Sequence, residues 1–213
     1  MKPYLQVEDL TKSYGDRILF DSITFGVNEG DKIGIIAKNG TGKTTLLKLL
    51  SGEEAPDSGT VIYRNDLRVG FLQQTPTFIK GKTIVENLIT SIPEHDHEEW
   101  AKEDQVKQML SQLGIDNPDA ELDHLSGGQL KRIALAQVLL SSPDLLILDE
   151  PTNHLDISAI EWLENYLSRQ RITLLMVTHD RYFLDRVCNK IIEIDMKQIF
   201  TYEGNFDYYS VSY

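Results

Sequence analysis

The sequence predicts an α/β fold in which helices cover both faces of a mainly parallel β-sheet. Short and almost uninterrupted apolar segments at residues 31–36, 145–148 and 173–177 have the length of buried strands. Segments with the apolar spacing of a helix separate these strands. Such alternation is typical of a parallel sheet that is buried on both sides. The helices of this core are predicted at residues 44–50, where Gly52 ends the helix, at residues 128–140 and at residues 157–167.

The N-terminal part of the chain departs from this alternation. Residues 4–7 and 18–27 alternate apolar and polar side chains in the manner of half-buried strands, and a turn at Gly15 separates them. Residues 60–63 and 68–72 are two further predicted strands. The segments at the start of the chain predict an N-terminal antiparallel β-subdomain beside the parallel core.

The middle of the chain predicts a helical subdomain. Residues 83–113 have helical spacing and no strand pattern, so we expect a helical insertion at about residues 75–125. Together with the helix that follows it, the helical subdomain covers about residues 75–141. The insertion interrupts the α/β core between its predicted strands.

Composition limits the class of protein. A chain of 213 residues with 41% hydrophobic residues is long enough for one large domain or two small ones. The net charge is −12, and residues 91–125 hold ten Asp and Glu against two Lys, which disfavours nucleic-acid binding by that face. No apolar run is long enough to cross a bilayer, and the N-terminus does not resemble a signal peptide. Cys188, the single cysteine, is predicted to be a small, partly buried side chain near the end of a helix, and it favours a cytoplasmic location.

The strongest chemical signal is the segment GIIAKNGTGKTT at residues 34–45, which joins a predicted strand to a predicted helix. It matches the phosphate-binding pattern G-x-x-x-x-G-K-[ST], except that Ala37 stands at the position of the first glycine. Backbone N–H groups of such a loop and the positive end of the helix dipole converge on a phosphate. The predicted phosphate-binding residues are Lys38, Asn39, Gly40, Thr41, Gly42, Lys43, Thr44 and Thr45.

Two side chains of this loop have specific predicted roles. The Lys43 ammonium would bind the β- and γ-phosphates of a nucleotide, and the Thr44 hydroxyl would bind Mg²⁺. The Ala37 methyl group lies at the strand exit, where it is compatible with the loop if the local φ is negative. Taken alone, the segment leaves open a glycine-rich turn without a ligand.

A second signal is the strand LLILDE, which ends in Asp149 and Glu150. In P-loop enzymes an aspartate at this strand tip is a partner of Mg²⁺, so Asp149 is the predicted metal-site carboxylate. Glu150 would polarise the attacking water. An acidic turn after a strand is common by itself, but it becomes specific when a phosphate loop lies upstream.

The third signal is LSGGQ at residues 125–129, where Ser126, Gly127 and Gly128 open a predicted helix. A capping hydroxyl and free backbone N–H groups make this helix start a second anion site. Together with LLILDEPTNHLD, the segment resembles an ABC-type ATPase domain over essentially all 213 residues. The resemblance implies a P-loop NTPase (RecA-like) core, one ABC ATP-binding domain, and ATP with Mg²⁺ as ligands.

The same resemblance implies roles for further residues. Tyr14 would stack on the adenine, and Gln74 would be the glutamine between the core and the helical subdomain, with a catalytic and a metal-binding role. His179 would be the switch histidine that touches the γ-phosphate. Residues expected at the interface with an opposing domain, where two anion sites enclose one triphosphate, are Ser126, Gly127, Gly128, Gln129 and Asp156.

The segments EPTNHLD, THDRYFLDRVCNKIIEID and YEGNFDYYS are similar to the ABC-F class, and most of all to the first domain of Uup-like members. This similarity implies a cytoplasmic protein with two tandem ABC domains, many relatives of which act on ribosomes, and no direct insertion into a membrane. The chain would then be a fragment of a longer protein. Its partner would be a second ABC domain or, in a homodimer, a second copy.

Two other functions share these motifs. The ATP-binding subunit of an ABC membrane transporter has every catalytic motif described above. An ATP-binding switch without useful hydrolysis is the third reading, in which Ala37 weakens the loop. The intact Glu150 and His179 argue against that third reading.

Overall fold

The computed structural model describes residues 3–38, 40–72, 78–79, 81–93 and 99–205. The strands are β1 (Leu5–Tyr14), β2 (Arg17–Val27), β3 (Lys32–Ala37), β4 (Ser58–Tyr63), β5 (Val69–Phe71), β6 (Leu145–Asp149), β7 (Thr173–Val177), β8 (Lys190–Asp195) and β9 (Gln198–Glu203). The helices are α1 (Lys43–Ser51), α2 (Ile84–Ile89), α3 (Glu99–Gln112), α4 (Gly127–Leu140), α5 (Ile157–Arg169) and α6 (Arg181–Val187), and a 3₁₀ turn covers Leu122–His124. Within these ranges, no helix combines the length and the apolar character that crossing a bilayer requires.

The strands form two sheets. A three-stranded antiparallel sheet has the order β2-β1-β4, and a six-stranded sheet has the order β5-β6-β7-β3-β8-β9. From β5 to β8 all neighbours are parallel, and only β9 runs antiparallel to its neighbour β8. This confirms the predicted α/β class with its mainly parallel core and antiparallel N-terminal subdomain.

The parallel sheet gathers three chain segments at one edge. Ile35 of β3 and Asp149 of β6 both pair with Val177 of β7, because the two strands lie on either side of it. The segments that follow these three strands therefore leave the sheet side by side. Residues that are more than a hundred positions apart in the sequence meet there.

Alternate residues of the sheet face different hydrophobic cores. Ile33 and Ile35 of β3 belong to a core that also contains residues of β1 and β2 and the four buried leucines of α1, Leu46, Leu47, Leu49 and Leu50. Residues of the opposite register, such as Leu146 and Leu174, pack on α2 to α6 in the second core. Helix α1 thus lies between the two sheets, and the other helices cover the far face of the large one.

Strand β1 is longer than predicted. It continues to Tyr14, although the apolar alternation is clear only at residues 4–7. Asp9 has φ = 47°, and the register with β2 shifts between Val7 and Leu10. This β-bulge breaks the period of two on which the sequence prediction depends.

The helical insertion contains two separate helices, α2 and α3, and the short turn before α4. Thr83 caps α2 by accepting a hydrogen bond from the backbone N–H of Glu86, whose own side chain accepts from the backbone N–H of Thr83. Strands β8 and β9 and helix α6 were not predicted from the sequence. The alternation in KIIEID is a signal by which β8 could have been found.

Cys188 follows the last residue of α6, as predicted, and it is more completely buried than the sequence suggested. Burial raises the pKa of its thiol to about 12. Its Sγ lies against β3, where a Cβ atom at Gly34 would be 3.2 Å from that sulfur and in overlap with Leu184 Cδ2. Gly34 is therefore required for the close approach of α6 to the central strand.

We predict that Gly34→Ala lowers the free energy of unfolding by about 1–3 kcal/mol, because the added methyl group overpacks the contact between β3 and α6. Chemical denaturation measures the change. Gly26→Ala is the matched control, since a Cβ atom there has its nearest neighbours at 3.7 and 3.8 Å and the backbone φ is not positive. Equal stability of the two variants would contradict the prediction.

Candidate active site

A cleft of about 930 Å³ lies where β3, β6 and β7 end. The residues that line it include Tyr14 from β1, Gly40, Gly42, Lys43, Thr44 and Thr45 from the loop and α1, Asp149 at the end of β6 and Glu150 after it, and His179 after β7. The structure therefore brings together side chains from four separate segments that the sequence analysis had singled out.

The loop between β3 and α1 requires glycine at two positions. Gly40 has φ = 79° and Gly42 has φ = 106°, values that side-chain-bearing residues rarely adopt. A Cβ atom at Gly42 would also lie 2.9 Å from Phe20 Cζ. Ala37 is different, because it is not among the residues with positive φ and pairs with Ile194 as the last residue of β3. The departure from the glycine pattern at Ala37 thus needs no special backbone conformation.

The side chains of Lys43 and Thr41 donate hydrogen bonds to backbone carbonyl groups of the loop. The Lys43 ammonium donates to the carbonyl oxygen of Ala37 at 2.9 Å, and the Thr41 hydroxyl donates to that of Lys38 at 2.7 Å. Arg17 of β2 donates to the carbonyl oxygen of Gly40. The cationic end of Lys43 is therefore held beside the loop, at the start of α1.

Thr44 and Asp149 both line the cleft. Thr44 is the second residue of α1, and Asp149 ends the otherwise buried strand β6. A hydroxyl and a carboxylate are oxygen donors of the kind that Mg²⁺ prefers. The glycine-lined loop and this donor pair fit a phosphate ligand with a magnesium ion.

Glu150 and His179 face each other across the ends of β6 and β7. One carboxylate oxygen of Glu150 accepts from the backbone N–H of His179 at 3.3 Å, and the other lies 3.4 Å from His179 Nε2. Glu150 has φ = 47°, and its backbone N–H donates to the carbonyl oxygen of Val177 at 2.8 Å. A left-handed backbone is uncommon at a glutamate, and strained residues of this kind cluster at functional sites. The pair combines a hydrogen-bond acceptor and a donor at the open end of the cleft.

The LSGGQ segment has the helix start that was predicted. The Ser126 hydroxyl accepts from the backbone N–H of Gln129 at 3.3 Å, while the Gln129 side chain accepts from the backbone N–H of Ser126 at 2.9 Å. Gly127 has open space where a side chain would stand. Residues 126–129 do not line the cleft of their own chain, whereas Lys131 and Arg132 in the next turn of α4 do.

Asp156 caps helix α5. Its carboxylate accepts from the backbone N–H of Ala159 at 2.8 Å and from the Ser158 hydroxyl at 2.7 Å. These bonds lower the pKa of Asp156 below its ordinary value, since they favour the charged form. Asp156 does not line the cleft, and its observed role is to begin the helix that follows the loop after Glu150.

Tyr14 lies at the cleft with 49% of its surface exposed, and its hydroxyl donates to Glu54. Two predicted site residues, Asn39 and Gln74, lie outside the described residues. The sequence analysis missed Arg17, Lys131 and Arg132, which add positive charge to the cleft wall. Arg17 follows the turn after Tyr14 in SYGDR, but no spacing rule singles it out.

Comparison with known proteins gives a family. Residues 20–153 match the ABC transporter family. The chain is 39% identical over 95% of its length to YfmR of Bacillus subtilis, named as an uncharacterized ABC transporter ATP-binding protein. It is 36% identical over 98% of its length to ABC transporter F family member 2 of Arabidopsis thaliana. It is 34% identical over 95% of its length to the energy-dependent translational throttle protein EttA of Mycobacterium tuberculosis.

The chain spans 37–42% of the length of these three relatives. A solved structure described as the ATP-binding subunit of an ABC transporter superimposes with a TM-score of 0.81, covering 98% of both chains at 22% identity. That likeness concerns the fold, and it agrees with a P-loop NTPase core. On the sequence match and the geometry of the cleft together, the chain belongs to the ABC transporter family as an ATP-binding domain, and members of the F class are among its relatives.

Proposed function

We propose that this chain is the ATP-binding and ATP-hydrolysing domain of a cytoplasmic ABC-F protein, which couples ATP-driven domain closure to a task on the ribosome or in translation. One observation carries the proposal: the phosphate loop, the Asp149–Glu150 pair and His179 all border one cleft. The similarity to an F family member and to a protein named as a translational throttle supports the ABC-F class.

The phosphates of ATP would bind at the start of α1. The free backbone N–H groups at this helix start and the helix dipole stabilise negative charge there, and the positive φ of Gly40 and Gly42 lets the backbone approach the phosphates. The Lys43 ammonium would exchange its contact with the Ala37 carbonyl for the β- and γ-phosphates. Tyr14, which lines the cleft from the end of β1, would stack on the base.

A magnesium ion would be held by Thr44 and Asp149, and when bound it would neutralise charge on the phosphate oxygens. Gln74 remains a predicted third partner of this site. Because the preceding residues of β6 are buried, the position of Asp149 at the end of this strand is fixed.

Hydrolysis would use Glu150 and His179. Glu150 would take a proton from the attacking water, and its two contacts with His179 orient the carboxylate. His179 is more than half exposed at 58%, so its ring is accessible to the γ-phosphate. A hydrogen bond from that ring would stabilise the charge that develops in the transition state.

The second half of the active site would come from another ABC domain, either in the full-length chain or in a second copy. Residues 126–129 present a capped helix start outside their own cleft, and the surroundings of Gly127 are open. This anion site would bind the γ-phosphate of ATP held by the opposing domain. Asp156 would hold the adjoining loop at the interface by capping α5.

We predict that Glu150→Gln lowers the rate of ATP hydrolysis by about 10²–10⁴-fold while ATP binding persists, because a general base is lost. Phosphate release and nucleotide binding measure the two quantities. Glu161→Gln, on the exposed face of α5, is the control and keeps the activity. A wild-type rate as low as that of Glu150→Gln would instead support an ATP-binding switch.

Complementation between two inactive variants tests whether a second copy of the chain can serve as the opposing domain. Lys43→Ala removes the phosphate ligand, and Gly127→Asp places a negative charge in the open space at the start of α4, where the helix tolerates it. Each variant alone is expected to be inactive. Mixed in equal amounts, they should regain about a quarter of the wild-type activity, since half of the symmetric dimers would be mixed and each would have one complete site.

If the mixture is as inactive as its components, a second copy of this chain does not complete the site, and the opposing domain would have to come from the full-length chain. A wild-type rate per chain that does not change with concentration would contradict the homodimer as well. Both variants need a check of folding by circular dichroism before they are mixed.

The partner of the full-length protein separates the ABC-F reading from its transporter alternative. We expect the full-length protein to sediment with ribosomes when Glu150→Gln keeps the ATP-bound form populated, and to leave them when Lys43→Ala removes ATP binding. Recovery with membranes, and not with ribosomes, would favour the ATP-binding subunit of a membrane transporter.

A further inference from the structure

Lys12 is a charged residue that the fold buries near the cleft, with only 8% of its surface exposed. Its ammonium donates to the carbonyl oxygen of Ala55 at 2.8 Å and lies 3.0 Å from a carboxylate oxygen of Glu54. Asp57 is a more distant partner at 3.8 Å. A buried ammonium is retained only with such partners, so the segment after α1 is held firmly to β1.

The Glu54 carboxylate also receives the hydroxyl hydrogen of Tyr14, on the oxygen that faces Lys12. Both bonds lower the pKa of Glu54, that of Tyr14 most, so the carboxylate is ionised at neutral pH. The Lys12 ammonium lies 5.3 Å from the centre of the Tyr14 ring, within the distance of a cation–π contact. Glu54 therefore holds the Tyr14 hydroxyl, and Lys12 covers one face of the Tyr14 ring.

Asp57 strengthens the same connection from its other end. It accepts from the backbone N–H of Ser13 at 2.7 Å and from the Ser13 hydroxyl at 2.6 Å. Ser13 directly precedes Tyr14, so the end of β1 is tied at two points to the segment that follows α1. Because α1 begins at the phosphate loop, these bonds fix the Tyr14 ring relative to that loop.

We propose that Glu54 and Lys12 are positioning residues for nucleotide binding: they hold the Tyr14 ring at a set distance from the phosphate loop, with its uncovered face available to the base of a nucleoside triphosphate. The inference rests on the proposed function, because it takes Tyr14 to contact the base. Lys12 covers one face of the ring, and Tyr14 is half exposed at the cleft. Stacking on this ring accepts any base, because every base has an aromatic face.

Glu54→Gln in the full-length protein is the test, with binding of ATP and of inorganic tripolyphosphate measured separately. Tripolyphosphate has the phosphates without the base, so it reports the loop alone. Binding that persists in Lys43→Ala is subtracted as background. Glu8→Gln is the matched control, since Glu8 lies on the same strand and its carboxylate accepts from Gln6.

We expect Glu54→Gln to weaken ATP binding about two- to tenfold, the equivalent of one hydrogen bond, and to leave tripolyphosphate binding unchanged. The KM for ATP should rise by the same factor while kcat is retained. Tyr14→Phe, which keeps the ring and removes its bond to Glu54, should behave in the same way. Glu54→Gln added to Tyr14→Phe should then weaken ATP binding no further.

Equal weakening of both ligands would overturn the proposal, because it would assign Glu54 to the structure of the loop. Unchanged binding of both ligands would overturn it too, as would full additivity of the two substitutions. If Glu54→Gln does not fold, Tyr14→Phe at its exposed position carries the same comparison of ligands. A wild-type protein that binds neither ligand above the Lys43→Ala background would contradict the proposed function itself.

Discussion

The burial of α1 between two sheets is the constraint on which the site depends. Four leucines of this helix face apolar residues of the small antiparallel sheet and of the large parallel one. The helix therefore cannot shift without opening a core on both sides, and burial of each leucine stabilises the fold by roughly 1.5–3 kcal/mol. Its first residues, Lys43 and Thr44, are consequently fixed relative to β6 and β7.

The rest of the site follows from the strand order. The carboxyl ends of neighbouring parallel strands share one edge. Asp149, Glu150 and His179 therefore lie at the same cleft as the phosphate loop, although they are distant from it in the sequence. The antiparallel subdomain adds Tyr14 and Arg17 from the opposite side. The cleft is thus lined by residues of both sheets, and α1 packs between these sheets.

The sequence was most informative where periodicity and local chemistry agree. Buried parallel strands have unbroken apolar runs, so β3, β6 and β7 were found, and the glycine and lysine spacing of the loop located its contacts. Strand β1 was underestimated because the bulge at Asp9 disturbs its alternation. The contact of Glu54 with Tyr14 joins residues forty positions apart. Pairings of that kind depend on how the two sheets pack, which no local pattern contains.

The backbone of Glu150 sets the proposed role of this residue against the stability of the turn. A left-handed conformation costs a residue with a side chain roughly 1–2 kcal/mol, and glycine or asparagine would adopt it more easily. Replacement by either residue would relax the turn while deleting the carboxylate. A related domain with glycine or asparagine at this turn would therefore combine a relaxed backbone with a site that lacks the proposed general base.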